Sequence, residues 1–457
     1  MLSRCDELVE AYPMWARTAA PGWGGDDDPV SHRSSPRWTD CSCHTAWFPR
    51  PAYPAHRVFI RGGMIAAMLV PLLAGHSHTP THVDVLPTRA GMLTAPVTDD
   101  SVWLSEARRV GGSHWVANAQ VDVHSIRIGS TTVPVTRLSG PPAQSTYVAS
   151  LHAAWVSYPF AEVVTRATRW RRTQTAAAFT LAAPLVGLMA ASGLRRAALV
   201  GNHLLSTNLH PTWNPTDIRQ ATAELAERFS DRPLALRNVC PDVDPRLCEG
   251  LVASGWQLVP SRRIYLVDPR DPAVWKHNHL KRDRKLLHGD DLELAGPADI
   301  PAQELTTLRA LFRQLFIDKH CALNPDFTPA FFDLCHQQRF LDLHVLRLDG
   351  RAVGVLGIHE RDGWVTTPLI GYDTTLPQNL GIYRRLMALL YEEAGRRGCR
   401  LHLSSGAGGF KSGRGGEPHL EYTAVFNRHL GIAQRVAGDA FGGLLRRFAP
   451  RVLEETG

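Results

Sequence analysis

The sequence predicts an α/β protein with a mixed (α+β) sheet, chiefly on the pattern of one stretch, residues 343–404. This stretch holds three strand-like runs, then an amphipathic helix, then a further short strand. Turns at Asp349-Gly350 and Asp362-Gly363 join the three runs. Asp-Gly between apolar runs is a strong hairpin signal, because glycine tolerates positive φ and aspartate bonds its own backbone. We therefore expect an antiparallel meander before the helix.

The middle run and the helix indicate how this sheet is covered. Almost every position from 352 to 358 is apolar, which predicts a central strand with both faces buried. In the helix, Ile382, Leu386 and Leu389 recur at helical spacing, and Gly398 ends the pattern. The predicted order is therefore meander, helix and strand.

The junction between the meander and the helix is the predicted cofactor-binding site, which comprises Gln378, Asn379, Leu380, Gly381, Ile382, Arg384 and Arg385. A helix start leaves backbone N–H groups without partners, and the helix dipole adds positive potential. Gly381 allows a ligand to approach the backbone closely, and the two arginines add formal charge. Such a site suits a pyrophosphate. The alternative interpretation is an ordinary helix start that contains a glycine.

This order of elements resembles the GNAT acyltransferase superfamily, whose acyl-CoA pyrophosphate sits on a Q/R-x-x-G-x-G/A loop. Residues 378–381 (QNLG) match the first half of that motif, and Tyr383 stands where the second glycine or alanine is usual. More narrowly, the segment resembles two-domain acyltransferases related to the Fem-type peptidoglycan aminoacyl transferases and the cellulose-biosynthesis acetyltransferase-like proteins. The resemblance covers about residues 270–440 and is weaker over 100–270.

The chain length and the resemblance together predict three regions. A chain of 457 residues exceeds one typical domain. Residues 1–95 are predicted to be an N-terminal extension, largely irregular or disordered, because their first part is rich in Pro, Gly, Trp, Arg and Asp without sustained periodicity. Residues 96–270 are predicted to form a first, degenerate GNAT-like domain on the substrate side, and 271–445 a second one with the acyl-donor site. Met64 is a possible second start.

Within the first predicted domain, residues 206–211 (STNLHP) resemble a substrate-side loop, with an ordinary polar turn as the alternative. Strand and helix patterns alternate around this loop. Strands are predicted at 197–200 and 233–239, helices at 215–229 and 245–254, and a bent strand or hairpin through Pro260 at 256–267.

Residues 277–288 (HNHLKRDRKLLH) form a predicted basic helix at the start of the second domain. In the related proteins such a helix lies near the acyl-donor groove, where it could contact phosphates, tRNA or an anionic lipid headgroup. A charge run is also typical of a solvated helix face. Two further helices are expected at 301–318 and 328–339.

Composition indicates the partners and the compartment. A formal net charge of +7 and a pI near 9.1 favour anionic partners. Eight scattered cysteines without a C-x-x-C pair indicate reduced thiols and a cytoplasmic protein. The Cys41-Ser-Cys43-His44 segment has metal-ligating residues, but no second ligand pair follows at zinc-finger spacing, so no metal is predicted.

Two apolar stretches raise the question of a membrane. Residues 64–74 are too few to span a bilayer. Residues 173–194 are uncharged and long enough, yet they consist mostly of small residues and contain Pro184. We therefore expect a buried helix-and-turn segment there, and no stable membrane insertion.

The glycine-rich segment 406–416 is the second candidate for ligand contacts. Six glycines in eleven residues predict a mobile loop with accessible N–H groups. Lys411 and Arg414 make the segment attractive to anions, so both are predicted to bind substrate. The loop is either a substrate lid or a flexible surface loop.

Acyl transfer from a thioester to an amine needs a base for the amine, stabilisation of the oxyanion and a proton for the thiolate. Glu417 and Glu421 are candidate bases. In GNAT enzymes a tyrosine often protonates the thiolate, and Tyr422 is the nearest match by chain order. The resemblance also places Tyr372 and Asp373, at a strand end, where substrates meet the acyl group.

The sequence therefore predicts an N-acyltransferase that moves an acyl group from acyl-CoA (acetyl-CoA) to a small-molecule or peptide amine, with neither metal nor DNA involved. One alternative is an aminoacyl-tRNA-dependent transferase of Fem type, although the coiled-coil insertion of those enzymes is not evident. Another alternative is a non-catalytic protein that binds an anionic ligand. This alternative stays open because Tyr383 replaces the second glycine or alanine of the motif.

Overall fold

The computed structural model describes residues 100–161 and 183–455. The predicted N-terminal extension, the apolar stretch 64–74 and the Cys-Ser-Cys-His segment lie outside these residues. So does part of the uncharged stretch, 173–182. Its remainder is helical over residues 183–191, where Leu185 and Met189 are buried and most other residues are exposed, so this helix is buried along one side only.

The described residues form one eleven-stranded mixed sheet in the order β1-β2-β3-β4-β11-β5-β10-β9-β8-β7-β6, which confirms the predicted fold class. The strands are β1 (Val121–Ile128), β2 (Thr131–Leu138), β3 (Ala198–Val200), β4 (Leu234–Val239), β5 (Gln257–Val267), β6 (Glu293–Ala295), β7 (Asp342–Leu348), β8 (Arg351–Arg361), β9 (Trp364–Tyr372), β10 (Arg400–His402) and β11 (Glu417–Phe426).

Helices cover this sheet. They are α1 (Ser101–Val110), α2 (Pro215–Arg228), α3 (Pro245–Ala253), α4 (Asn278–Leu287), α5 (Leu305–Arg313), α6 (Pro329–Gln338), α7 (Ile382–Arg396), α8 (Gly408–Ser412) and α9 (Ile432–Glu455). Of these, α2 to α7 lie at predicted positions, whereas α1 and α9 were not predicted and α8 lies where a loop was expected. Residues 151–161 are also helical. Of the helices that the structure describes, none combines the length and apolar character needed to cross a bilayer.

Local sequence signals explain where several helices begin. Asn214, Asp244 and Thr328 each accept a hydrogen bond from a backbone N–H in the first helical turn, and a proline follows each of them. A polar cap satisfies a donor that the helix cannot, and proline at the first position has no N–H to lose. These caps place α2, α3 and α6 without help from distant residues.

The Asp-Gly turns form as predicted. Asp349 and Gly350 have φ of 50° and 73°, and Asp362 and Gly363 have 48° and 75°. Positive φ at both central residues defines the type I′ turn, whose twist matches that of the flanking strands. The turns therefore join β7, β8 and β9 into an antiparallel meander, and β8 is buried on both faces.

The two halves of the chain contain the same arrangement of a helix between two parallel strands, and the last strand of each half pairs with strands of the other half. In each half, a helix connects two parallel strands, α2 between β3 and β4 and α7 between β9 and β10. The last strand of the first half, β5, pairs with β10 and β11, and β11 pairs in turn with β4. The sheet thus continues across residue 270, and the predicted domain boundary there stays a prediction.

A bulge in β5 accounts for the bent strand that the sequence suggested. Glu421 pairs with Arg262 whereas Tyr422 pairs with Pro260, so Ser261 has no opposite residue. An extra residue bends a strand and increases its twist. The bend occurs in the middle of the sheet, next to the most buried polar side chains described below.

The parallel strands β9 and β10 separate towards the start of α7. Their pairing runs from Trp364 and Arg400 to Thr366 and His402 and goes no further. Beyond His402 the chain stays with β5, because the Leu403 N–H donates to the Tyr265 carbonyl (2.9 Å). The strand β9 continues to its end paired with β8 alone. The two strands therefore part on the side where α7 begins, and we refer to this parting of β9 from β10 as the opening in the sheet.

A close approach of α5 to β9 generates a prediction for stability. A Cβ atom at Gly371 would lie 2.5 Å from the Phe312 backbone nitrogen and 2.7 Å from the Leu311 carbonyl carbon. Backbone atoms cannot move aside as a flexible side chain can, so Gly371→Ala is expected to lower the free energy of unfolding by about 1–3 kcal/mol. Urea denaturation followed by circular dichroism measures the change.

The control for this variant is Gly187→Ala, in the helix 183–191, where no atom lies within 4 Å of the added Cβ. This control is expected to stabilise the protein slightly, since alanine favours a helix over glycine. Equal midpoints for the Gly371 variant and the wild type would contradict the packing of α5 on β9.

Candidate functional site

The predicted helix start at Gly381 is present, and it leaves backbone donors available. Residues 378–380 form one turn of 3₁₀ helix, and Gly381 has φ of 60°, in the left-handed region. The Arg385 N–H donates to the Gly381 carbonyl (3.0 Å) as the first bond of α7. The N–H groups of residues 382–384 precede that bond and have no carbonyl within the helix. The start of α7 therefore has the donors that an anion binds.

A cleft of about 330 Å³ lies beside this helix start. Its wall combines α7 with the second half of α4 and the turn after it: Arg282, Lys285, Leu286, Gly289, Asp291, Arg384 and Arg385. The predicted basic helix and the predicted phosphate-binding turn thus meet, although about a hundred residues separate them in the chain. Arg282 and Lys285 are exposed, so the cleft is cationic.

The two arginines of α7 have different surroundings. The Arg385 side chain is 2% exposed; its Nε donates to the Leu380 carbonyl (3.0 Å), and its Nη2 lies 2.6 Å from Asp291. It therefore fastens the 378–380 turn to the segment after α4, which differs from the predicted direct contact with a ligand. Arg384 is 39% exposed and lines the cleft, while its Nε is paired with Asp283. Of the two, Arg384 is the more accessible to a phosphate.

A buried carboxylate, Asp283 of α4, holds this region together. Arg384 Nε lies 2.6 Å from one of its oxygens and Arg414 Nε lies 2.5 Å from the other. The Arg414 guanidinium also stacks on the Phe410 ring, 3.4 Å from the ring centre. The glycine-rich segment is therefore not the mobile loop that its composition suggests. It forms α8, and the ion pair to Asp283 uses the charge of Arg414 that was predicted to bind substrate.

The tyrosine that replaces the second glycine of the motif has a packing role. The Tyr383 ring lies between the rings of Tyr372 (6.1 Å) and Phe410 (5.0 Å). Burial raises the pKa of Tyr383 to about 12. Its side chain thus joins the start of α7 to β9 and α8. Tyr372, predicted to contact substrate, is half-buried in this stack, and Asp373 bonds the Thr375 N–H (3.0 Å) in the turn that follows.

A second group of polar side chains surrounds Glu421 in the middle of the sheet. Glu421 is 1% exposed and forms an ion pair with Arg262 through two contacts. His402 Nε2 lies 3.3 Å from the same carboxylate, and Asn238 Nδ2 donates to it (3.1 Å). Burial by itself raises the pKa of Glu421, but Arg262 and His402 outweigh it and hold that pKa well below its usual range.

This environment favours a role for Glu421 other than that of the predicted base. A carboxylate with so low a pKa accepts a proton poorly at neutral pH. The His402 Nδ1 accepts a hydrogen bond from the Ser404 N–H (3.1 Å), and burial lowers the pKa of this histidine. A neutral imidazole therefore carries its proton on Nε2 and donates it to Glu421. The carboxylate orients both His402 and Arg262.

The loop 206–211 reaches the same place from the first half of the chain. Thr207 Oγ1 donates to Ser404 Oγ (3.0 Å) and accepts from Arg262 Nη2 (3.0 Å). The Asn208 N–H donates to Asn238 (2.9 Å), which in turn contacts the central carboxylate. The suggested substrate-side loop therefore contacts the end of β10. The residues that make these contacts, Thr207 and Asn208, belong to the segment 206–211 for which the sequence left a substrate-side loop or an ordinary polar turn open.

Lys411 is the buried cation closest to the end of β10. It is 4% exposed, and its Nζ donates to the carbonyl oxygens of Ser404 (3.2 Å) and Ser405 (2.8 Å). Among the described residues no carboxylate lies within ion-pair distance of it. Burial lowers the pKa of Lys411 to about 7, with a contribution from Arg262. A lysine with this pKa exchanges a proton near neutral pH, as proton transfer to or from a substrate requires.

The other predicted catalytic residues lie apart from this group. Glu417 is exposed at the start of β11, four residues and about 13 Å along the strand from Glu421. Tyr422 is half-buried beside Cys240 and Cys248, and burial raises its pKa. The structure thus brings together Glu421 and Lys411 but not Glu417 or Tyr422.

Sequence reasoning did not select Arg262, His402 or Asn238. One signal was present, since His402 is an ionisable residue between two leucines of a predicted short strand, where a charge needs a partner. In the part of the chain that the structure describes, no group of three or more His, Cys, Asp or Glu side chains has a metal-binding arrangement. The five cysteines there are buried thiols.

The double ion pair of Asp283 generates the second prediction. Asp283→Asn removes the charge between two arginines and leaves them facing each other, so the free energy of unfolding is expected to fall by about 3 kcal/mol. Urea denaturation measures the change. Asp290→Asn, at an exposed site just after the same helix, is the matched control and is expected to have little effect. Similar midpoints for both variants would contradict this role.

The third prediction concerns the pH dependence that Lys411 causes. Its pKa is lowered on folding, so between about pH 7 and the unfolded value near 10.4 the unfolded chain binds more protons. The burial of the charged lysine therefore lowers the free energy of unfolding by its full amount below pH 7. This destabilisation decreases as the pH rises and the lysine loses its proton. Relative to Lys411→Met, the wild type is expected to gain about 1–2 kcal/mol of unfolding free energy between pH 7 and 9.

Urea denaturation of both proteins at several pH values measures this difference. Lys281→Met, at an exposed position on α4, is the control and should leave the pH profile unchanged. Parallel profiles for the wild type and Lys411→Met would show that the lysine keeps an ordinary pKa.

Part of the chain matches a known family model. Residues 276–412 match the acetyltransferase (GNAT) domain family. No curated protein matches the chain. Among solved structures, the C-terminal domain of a putative lysylphosphatidylglycerol synthetase from Agrobacterium fabrum is similar with 17% identity and a TM-score of 0.39, over 53% of this chain and 81% of that one. FemX is similar with 8% identity and a TM-score of 0.38, over 49% and 79%.

A GCN5-related N-acetyltransferase from Kribbella flavida is also similar, with 18% identity and a TM-score of 0.29, over 51% of this chain and 81% of that one. The family match spans the basic helix α4, the meander, α7, β10 and α8. The second half of the chain therefore has a GNAT-like acyltransferase fold.

Proposed function

We propose that the protein transfers an acyl group from acyl-CoA, with acetyl-CoA as the simplest donor, to the amine of a small molecule or peptide. The observation that carries the proposal is the cationic cleft beside the start of α7, next to the separation of β9 from β10. It combines a place for a diphosphate with an opening between strands for the rest of the donor. The predicted cytoplasmic location is part of this proposal.

The donor's diphosphate would bind where helix donors and cations meet. Arg282, Lys285 and Arg384 border the cleft. The backbone N–H groups of residues 382–384 add donors that need no charge of their own. Guanidinium groups bind phosphate oxygens through two parallel hydrogen bonds, and a lysine adds a point charge.

The reaction would proceed by direct attack. The amine nitrogen forms a bond to the thioester carbonyl carbon, the bond from that carbon to sulfur breaks, and coenzyme A leaves as a thiolate. We assign to Lys411 the proton that the amine loses, because its pKa near 7 leaves a large neutral fraction at neutral pH. Tyr422 was predicted to protonate the thiolate, but it lies beside Cys240 and Cys248 and apart from Lys411, so we assign it no part in this step.

A covalent acyl-cysteine intermediate is less well supported than direct attack. Cys399, the cysteine nearest to the end of β10 in the chain, is buried. Burial raises its pKa to about 11, and the neighbouring Glu360 contributes to this. Only the thiolate is a strong nucleophile, so a thiol with this pKa is almost entirely inactive at neutral pH.

A second candidate donor is aminoacyl-tRNA, because the basic face of α4 extends beyond the cleft. Lys276 and Lys281 are exposed on and before α4 but do not border the cleft. A row of cations longer than a diphosphate requires is typical of contact with a nucleic-acid backbone. The two donors therefore make different predictions for these lysines.

The experiment that tests the proposal is calorimetric titration with CoA and acetyl-CoA. The double variant Arg282→Ala, Lys285→Ala is expected to weaken binding at least tenfold, because two charged phosphate contacts are lost. Lys281→Ala is the matched control from the same helix and should bind CoA as the wild type does.

A parallel titration with aminoacyl-tRNA separates the alternatives. If tRNA binds, if Lys281→Ala weakens that binding and if CoA does not bind, the donor is the tRNA. Binding of neither donor by the wild-type protein would overturn the proposed transferase activity and favour the non-catalytic interpretation.

A further inference from the structure

The buried charges around Glu421 do not balance. Three cations, Arg237, Arg262 and Lys411, are close enough to influence one another or that carboxylate. Glu421 is the only carboxylate among the described residues whose charge acts on any of the three. Glu421 forms its ion pair with Arg262, so its negative charge is already matched by one of the three cations. Arg237 and Lys411 are left without an anionic partner.

Arg237, near the end of β4, is the more unusual of the two. It is 7% exposed, and its Nη1 donates to the Val148 carbonyl (3.2 Å) and the Leu205 carbonyl (3.4 Å). Among the described residues, no hydrogen-bond partner is found for its Nη2 or Nε. A guanidinium keeps its charge in a buried site, and an unpaired buried charge is strongly unfavourable. A partner of opposite charge would relieve this.

Polar side chains next to Arg237 are partly exposed. The Tyr147 ring lies 5.9 Å from the Arg237 guanidinium carbon, and Ser206 is close enough to the tyrosine to affect its pKa. Arg237 and Arg262 both act on the charge of Tyr147, so the tyrosine lies near both. Tyr147, Ser206 and Arg262 are each partly exposed. These three residues bring solvent close to Arg237, and they mark the side from which a small anion would enter under the proposal below.

Lys411 connects this place to the proposed reaction. Its Nζ donates to the Ser404 carbonyl, and Arg262 Nη1 donates to the Ser404 hydroxyl (3.2 Å). The proposed base and the arginine thus contact the same residue. A short molecule with an amine at one end and an anion at the other has the length to reach both. The donor's phosphates, by contrast, have their own cations at the start of α7.

We infer that the acceptor carries an anionic group, a carboxylate or a phosphate, which binds between Arg237 and Arg262 beside Tyr147. This inference rests on the proposed function and specifies its substrate class: amines such as amino acids or amino-alkyl phosphates, rather than neutral amines. The anion supplies the charge that the buried arginine lacks. It also places the amine within reach of Lys411.

Binding to the full chain without donor tests this inference. The probes are two pairs that differ in the anion: glycine against glycinamide, and O-phosphoethanolamine against ethanolamine. Calorimetric titration at pH 7 is expected to show binding of the anionic member at least tenfold tighter than its neutral counterpart in one pair. Glycine as the tighter ligand identifies a carboxylate site, and O-phosphoethanolamine identifies a phosphate site. Equal affinities within both pairs overturn the inference.

Variants locate the site. Arg237→Gln is expected to abolish the difference between the pair members, whereas Arg237→Lys, which keeps the charge, should retain part of it. Arg246→Gln, at an exposed position on α3, is the matched control and should behave as the wild type. Preference for the anion that survives in Arg237→Gln overturns the assignment to this arginine. The probe pairs still decide with the wild type if that variant does not fold.

The donor titration keeps this inference distinct from the proposed function. If CoA binds normally but the anionic probes bind no better than the neutral ones, only the inference of an anionic acceptor is wrong. If the anionic probes bind better but neither donor binds, the proposed acyl transfer is wrong and the protein has only an anion-binding site.

Discussion

The pairing of β5 with β11 is the constraint on which the rest of this structure depends. Each of these strands closes one half of the chain, yet each pairs with strands of the other half. The ion pair between Arg262 and Glu421 lies across this pair of strands, with the glutamate 1% and the arginine 19% exposed. Removing either partner would leave the other charge buried, which is far less favourable than the intact pair.

The same pairing decides where the opening in the sheet lies. Because β10 continues along β5 after His402, it parts from β9, whose outer half remains with β8. The opening between them has α7 at its edge and Lys411 near its inner end. The proposed donor and acceptor sites therefore lie on two sides of one gap, and the central strand pair holds both. The buried arginine of β4 is near this centre because β11 brings β4 into the same sheet.

Electrostatics distinguishes residues that the sequence made look alike. Arg384 and Arg385 are neighbours, but one faces the cleft and the other is buried against backbone carbonyls and Asp291. Lys411 and Arg414 both come from one glycine-rich segment. Arg414 has a carboxylate partner in Asp283, whereas the lysine has only carbonyl oxygens. Burial then lowers the pKa of the lysine, since nothing compensates its charge.

The sequence alone determined the local elements of this protein. Asp-Gly turns set the meander, polar caps followed by proline set three helix starts, and a glycine with positive φ set the start of α7. These features depend on backbone conformation and on hydrogen bonds between residues close in the chain, so they appear in the pattern. The cationic character of residues 277–288 and the glycine motif were visible for the same reason.

Only the tertiary structure decided which charges meet. The contacts of Glu421 with Arg262 and Asn238, and of Asp283 with Arg384 and Arg414, each join residues about a hundred or more positions apart. Whether a charge is paired, exposed or buried without a partner depends on the pairing of β5 and β11 with strands of the other half of the chain. No short-range sequence pattern encodes that pairing. Burial and pairing set the protonation of a side chain, and both are properties of the packed fold.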